Sequence, residues 1–103
     1  MDAWIMPPNM PSLKGKTAAP VFFTIAYRQM GIRNVILTME ELVGDESYQA
    51  ETGNFQLIDK SGKTLDRGKY LVLWKNENGI WRMHRDCFNS DGPLSQQPQF
   101  SKD

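Results

Sequence analysis

Residues 66–91 read DRGKYLVLWKNENGIWRMHRDCFNSD, and this stretch decides the fold. Aromatic and charged side chains alternate along two runs separated by Asn76-Glu77-Asn78-Gly79, a cluster of turn formers. Period-two alternation bounded by such residues marks two antiparallel strands, over 65–75 and 80–89. Ionisable groups sit among the aromatics, so one face of this hairpin is suited to lining a polar pocket.

Upstream, two further runs of the same period, 33–43 and 48–58, are separated by Gly44-Asp45-Glu46-Ser47 and followed by Lys60-Ser61-Gly62-Lys63. Short connections rich in turn residues predict an antiparallel meander of four strands. Before Gly31 the period is 3.6. Ala18, Val21, Phe22, Ile25 and Met30 recur at helical spacing, with Ala26 small between them. Thr17 stands at the N-cap, Pro20 in the first turn and Gly31 just past the end. Residues 3–6 form a short apolar run stopped by Pro7-Pro8, read as an edge strand because proline lacks a ladder N–H. Residues 9–16 read as a loop. The fold class is therefore α+β, one main helix against a curved antiparallel sheet. Residues 1–91 make one domain, and 92–103, without periodicity and with Pro93 and Pro98, are expected to be a flexible tail.

Composition excludes several classes of function. Twelve basic and twelve acidic residues cancel over 103 positions, so no overall field favours nucleic acid or an anionic membrane. No apolar run is long enough to span a bilayer, and no signal peptide is visible, which makes the cytoplasm the expected location. One cysteine, Cys87, excludes an intrachain disulfide, and a single histidine beside it is too few for a common zinc site. The eight glycines mark turns and strand bends rather than a phosphate loop.

If each four-residue turn is a loop, register follows by addition. Glu40 then pairs with Glu51, Glu51 with Val72, Tyr70 with Arg85 and Trp74 with Trp81. Alternation gathers Thr38, Glu40, Glu51, Tyr70, Trp74, Trp81, Met83, Arg85 and Cys87 on one face. Val35, Leu37, Met39, Val43, Tyr48, Leu71, Leu73, Ile80, His84 and Asp86 fall on the other. The second face is largely aliphatic, and one helix cannot cover both. An uncovered apolar sheet implies a partner, expected here as a homodimer or higher homo-oligomer packed sheet to sheet.

The closing segments Asp66-Arg67-Gly68-Lys69-Tyr70, Trp74-Lys75, Gly79-Ile80-Trp81 and His84-Arg85-Asp86, with Phe88-Asn89-Ser90-Asp91, resemble the last two strands of SnoaL-like and ketosteroid isomerase-like proteins. These belong to the nuclear transport factor 2-like superfamily. Asp2 to Asn9, then Gly15-Lys16 and the helix through Phe22-Phe23, resemble earlier parts of the same proteins. The resemblance covers residues 2–91 and implies a cone-shaped, cystatin-like sheet around helices with a ligand pocket inside. Members normally carry helices before the strand that begins here near Asp2, so this chain reads as an N-terminally short member.

The resemblance implies a protein that binds a small, largely apolar or carbonyl-containing molecule without a cofactor. A catalytic member would act by proton transfer, as an isomerase, dehydratase, cyclase or epoxide hydrolase; a non-catalytic binding or assembly module is the alternative. Glu51 or Glu40 would be the base, since two close carboxylates share a proton. Tyr70 and Arg85 would stabilise developing negative charge, and Thr38, Trp74, Trp81, Met83 and Asn89 would line the ligand site. Each also has a structural reading: Glu51 paired to Arg85, Tyr70 satisfied in the core, the tryptophans as a core pair, and Asn89 as a backbone cap. His84 and Asp86, two apart on one strand, are a His–Asp pair in principle but fall on the outer face, where a dimer contact is expected.

Overall fold

The computed structural model describes residues 2–92. Their elements are β1 (Trp4–Met6), β2 (Leu13–Lys14), α1 (Ala18–Gln29), β3 (Asn34–Gly44), β4 (Tyr48–Ile58), β5 (Thr64–Glu77) and β6 (Ile80–Ser90). The strands form one curved, open sheet in the order β2-β1-β6-β5-β4-β3. All neighbours are antiparallel except β1 and β6, which run parallel. The α+β reading and the four-strand meander match this arrangement. The expected tail lies outside the described residues from position 93 onward.

The helix starts where the sequence marks it, after Thr17, although the Thr17 side chain makes no capping bond. The Ala18 amide instead donates to the Gly15 carbonyl at 3.1 Å. At the far end Gly31 takes φ 73°, a left-handed conformation that costs glycine little. That turn lets the Ile32 amide donate back to Ala26 and sends Ile32 into the core.

The turns of the meander are held by short polar side chains. One carboxylate oxygen of Asp45 accepts the Ser47 and Tyr48 amides, and one of Asp59 accepts the Ser61 and Lys63 amides. These bonds hold both carboxyls below the usual aspartate range, the Tyr48 amide contributing most at Asp45 and the Ser61 hydroxyl at Asp59. Asn78 and Gly79 both have positive φ, 56° and 88°. They form a two-residue hairpin turn rather than the four-residue loop expected, so the strands run on to Glu77 and Ile80.

β1 is not an edge strand. Two-residue β2 pairs outside it, Trp4 opposite Lys14, within the segment expected to be a loop. The true edges are β2 and the long β3.

Three β-bulges interrupt the sheet; one, at Leu65 in β5, lies beside the turn, where Leu57 faces Asp66 but Ile58 faces Thr64, and the other two set the faces. Glu40 is an extra residue in β3, so Met39 faces Gly53 but Glu41 faces Thr52. His84 is an extra residue in β6, so Trp74 faces Met83 but Leu73 faces Arg85. Each bulge reverses the face of every residue on one side of it relative to uninterrupted alternation. The helix side, called the inner face below, therefore carries Val35, Leu37, Met39 and Leu42 from β3. From β4 to β6 it carries Glu51, Phe55, Leu57, Tyr70, Val72, Trp74, Trp81, Met83, Asp86 and Phe88.

The core is small. Ala26 and Ile32 meet Phe55, Leu57, Tyr70 and Val72, with Met30, Trp74, Met83 and Phe88 packed around them. Burying each large apolar side chain contributes roughly 1.5–3 kcal/mol. Phe88 links the layers edge-on, its ring 5.4 Å from Phe22 on the helix and 5.8 Å from Phe55 on the sheet. The core sits at the helix end of the sheet and leaves β3 exposed along its whole length.

Candidate functional site

One row of residues crosses the inner face perpendicular to the strands: Leu42, Glu51, Val72, Asp86 and Ile5. It places two carboxylates on one face with one strand between them, their backbones roughly 10 Å apart. The adjacent row is Met39, Gly53, Tyr70 and Phe88.

Gly53 explains how the two rows connect. A Cβ at this position would stand 2.7 Å from the Tyr70 hydroxyl, 2.9 Å from its ring and 2.3 Å from the Thr38 carbonyl oxygen. Its absence lets the Tyr70 ring lie across β4 and donate to Glu51 Oε2 at 2.5 Å. Trp74 Nε1 donates to the other oxygen, Oε1, at 3.1 Å.

Burial, then donation to Glu51, then the negative charges of Glu51 and Asp86 push the Tyr70 hydroxyl up to about 12. It therefore remains a protonated donor at any physiological pH. Asp86 behaves differently. Burial first, and the Glu51 charge second, raise its carboxyl from 3.8 to about 6. The row thus holds one carboxylate fixed by two donors and one carboxyl that changes state just below neutral pH.

Of the residues expected to form the site, Glu51, Tyr70, Trp74, Trp81 and Met83 share the inner face. Trp74 is opposite Met83 and Trp81 is opposite Asn76, which corrects the Trp74–Trp81 pairing. Tyr70 is opposite Phe88, which corrects the pairing with Arg85.

Four residues lie on the outer face instead. Glu40, opposite no residue because of its bulge, accepts from the Asn54 side chain, and Thr38 pairs with Asn54. Arg85 donates to the Asp2 carbonyl at 2.8 Å, lies 4.0 Å above the Trp4 ring and has the Asp2 carboxylate at 3.8 Å. Asn89 is exposed opposite Lys69. Cys87 is also exposed there rather than in the pocket. The cause is common to three of them: the bulges at Glu40 and His84 invert Thr38, Arg85 and Asn89 relative to plain addition.

Asp86 moves the other way, from the expected outer face into the site. His84 stays outside, its ring 5.9 Å from Tyr48. Gly53 and Asp86, with Leu42 and Val72 of the same row, were not among the residues expected at the candidate site. The signal for Asp86 was its two-residue spacing from Phe88, an aromatic that had to reach the core.

The row is not enclosed. Leu42, Met39 and Trp81 beside it are 48%, 56% and 39% exposed. A crevice of about 10 Å³, bounded by Met30, Phe55, Leu57 and Phe88, lies at the other end of the face and is room for one water. Among the described residues no group of three His, Cys, Asp or Glu could hold a metal ion, and no helix is long and apolar enough to cross a membrane.

Comparison with solved structures places this geometry. A ketosteroid isomerase-like protein from Erwinia carotovora atroseptica superposes with a TM-score of 0.66 at 20% identity, covering 89% of this chain and 75% of that one. The chain has the nuclear transport factor 2-like fold. A domain of unknown function with a cystatin-like fold from Nostoc punctiforme gives 0.73 at 13% identity, covering 91% and 61%. A nuclear transport factor 2-like protein of unknown function from Shewanella oneidensis gives 0.61 at 15%, covering 82% and 69%. No family model matches the sequence, and no curated protein does. Identities this low establish the fold alone, a fold that hosts many functions.

Proposed function

We propose that this nuclear transport factor 2-like chain binds a small, largely apolar molecule bearing a carbonyl or similar polar group on its inner face. The polar group meets Asp86 and Glu51, and the apolar part lies along Val72, Trp74, Met83 and Leu42. One observation carries the reading: two carboxyl groups stand on one row of an otherwise apolar, concave face, Glu51 accepting from Tyr70 and Trp74 and Asp86 raised by burial. Glu51, oriented by donation from Tyr70 and Trp74, accepts a ligand donor. Asp86 in its neutral form donates to a ligand acceptor such as a carbonyl oxygen.

Asp86 also supports a second, finer reading: cofactor-independent proton transfer next to a carbonyl. A carboxyl with its midpoint near 6 exchanges protons near neutral pH, and Glu51 accepts through its free lone pairs. The open row favours binding over catalysis for the single chain, because water beside the carboxylates weakens their field.

The test is a panel of ketones, enones and aromatic carbonyl compounds, followed by tryptophan fluorescence and by deuterium uptake from solvent at the carbon next to the carbonyl. Saturable binding that is weakened in Asp86→Asn and Glu51→Gln is the expected result. Uptake above the buffer rate, lost in both variants, would add the catalytic reading. Binding that both variants leave unchanged would place the ligand elsewhere and overturn the proposal.

A further inference from the structure

Charge divides between the two faces of the sheet. Along β5 and β6 the basic residues Arg67, Lys69, Lys75, Arg82 and Arg85 all point outward. There ring, acid and cation occur together. Lys14 Nζ lies 4.1 Å and Arg85 Cζ 4.0 Å from the centre of the Trp4 ring, whose Nε1 donates to Asp2 at 3.2 Å. Lys69 meets Asp91 at 2.7 Å, and Arg82 meets Glu77 at 3.5 Å. The inner face has rings and acids without a cation. Glu51 and Asp86 stand among Tyr70, Trp74 and Trp81, and no lysine, arginine or histidine of the described residues lies on that face. Burial and the charge of Glu51 both raise Asp86, and no neighbouring cation lowers it.

We infer that the inner face takes a small apolar amine, its ammonium group held between Glu51 and Asp86 above Val72. An ammonium carries several N–H donors, so one group can serve both carboxyls, whose backbones stand roughly 10 Å apart. Its charge is drawn to the ring faces of Trp74, Trp81 and Tyr70 within about 6 Å of their centres. A metal ion is the poorer match, since no group of three His, Cys, Asp or Glu among the described residues could hold one. Such binding rests on the reading of the inner face as the ligand site, and it gives charge to the ligand's polar end. It also reverses the pH dependence: a carbonyl needs neutral Asp86 as its donor, whereas an ammonium needs the ionised form. Among the described residues, the titratable groups facing Asp86 are Glu51 from β4 and Tyr70 from β5. β1, β3 and α1 contribute the apolar Ile5, Leu42 and Ala26, and Asp66 lies at the other end of the face, accepting from Ser90.

Benzylamine and acetophenone, a cation and a neutral ketone of similar size, are the probes for the full chain. Tryptophan fluorescence follows their binding in low salt at about pH 5 and about pH 8, where benzylamine is protonated and Asp86 is not in the same state. Benzylamine is expected to bind about tenfold more tightly at the higher pH, because Asp86 goes from mostly neutral to ionised, and more weakly in added salt. Acetophenone should show the opposite slope. In Asp86→Asn the rise for benzylamine should vanish, and Glu51→Gln should weaken its binding at both pH values, with circular dichroism checking that each variant folds. Saturating benzylamine should also lower the Asp86 carboxyl midpoint in wild type. Benzylamine binding that does not rise with pH, or that both variants leave unchanged, would overturn the amine; acetophenone binding weakened by both variants would then show that the ligand site itself stands. If neither probe binds, the ligand site falls along with the amine.

Discussion

Glu51 and Asp86 stand on one row of the inner face with Val72 between them, although counting along the chain places them on opposite faces. The single extra residue His84 brings them together. Their environments differ as well: Tyr70 and Trp74 donate to Glu51, while burial and the Glu51 charge keep Asp86 partly protonated near neutrality.

The first consequence concerns stability against pH. The folded value of Asp86, about 6, lies above its ordinary 3.8. Its protonated form favours the fold, so this contribution is full below about pH 4, is lost as pH rises to about 6, and stays lost above. Asp86→Asn cannot ionise and is expected to be more stable than wild type at pH 8, by up to roughly 3 kcal/mol for a two-unit shift. The two proteins are expected to be nearly equal at pH 4. Urea denaturation at both pH values checks this.

Tyr70→Phe tests the other carboxylate. It removes a donor from a partly buried charge, and hydrogen bonds to charged groups contribute about 1.5–3 kcal/mol. A loss of that size in urea unfolding at pH 7 is expected, with the ring still packed. No loss would mean that water replaces the hydroxyl without cost.

Gly53→Ala should be costly at a position where extended backbone otherwise accepts alanine. The added methyl meets the Thr38 carbonyl and the Tyr70 hydroxyl at 2.3 and 2.7 Å, so Tyr70 must move off Glu51. Overpacking of this kind costs about 1–3 kcal/mol. A lower melting temperature together with a changed Tyr70 resonance is expected.

Arg85→Ala separates the outer cluster from the site. Loss of the Asp2 hydrogen bond and the Trp4 stack should loosen β1 by roughly 1–2 kcal/mol. Faster hydrogen exchange at Trp4–Met6 is expected, with ligand binding unchanged.

The elements of this fold were legible in the sequence because turns and periods are local. Asp45 and Asp59 cap their own turns, Gly31 ends the helix, and the helical stripe through Phe22, Ala26 and Met30 found the core. The pairing of Glu51 with Val72 was also legible, because the extra residue Leu65 beside the β4–β5 turn offsets a loop one residue longer than expected. Faces were less so. A bulge leaves no mark in a period-two pattern, and those at Glu40 and His84 each inverted a segment. The Asn78-Gly79 pair, the strongest short hairpin signal in the chain, should have been read as a two-residue turn. Gly53 reads as a strand bend until the tyrosine that crosses it is known.

The most direct measurement is a carbon-13 NMR titration of the Asp86 side-chain carboxyl, in wild type and in Glu51→Gln. A midpoint near 6 that falls when the Glu51 charge is removed is the expected result. A midpoint near 4, the same in both proteins, would place Asp86 in solvent, apart from Glu51, and contradict the site.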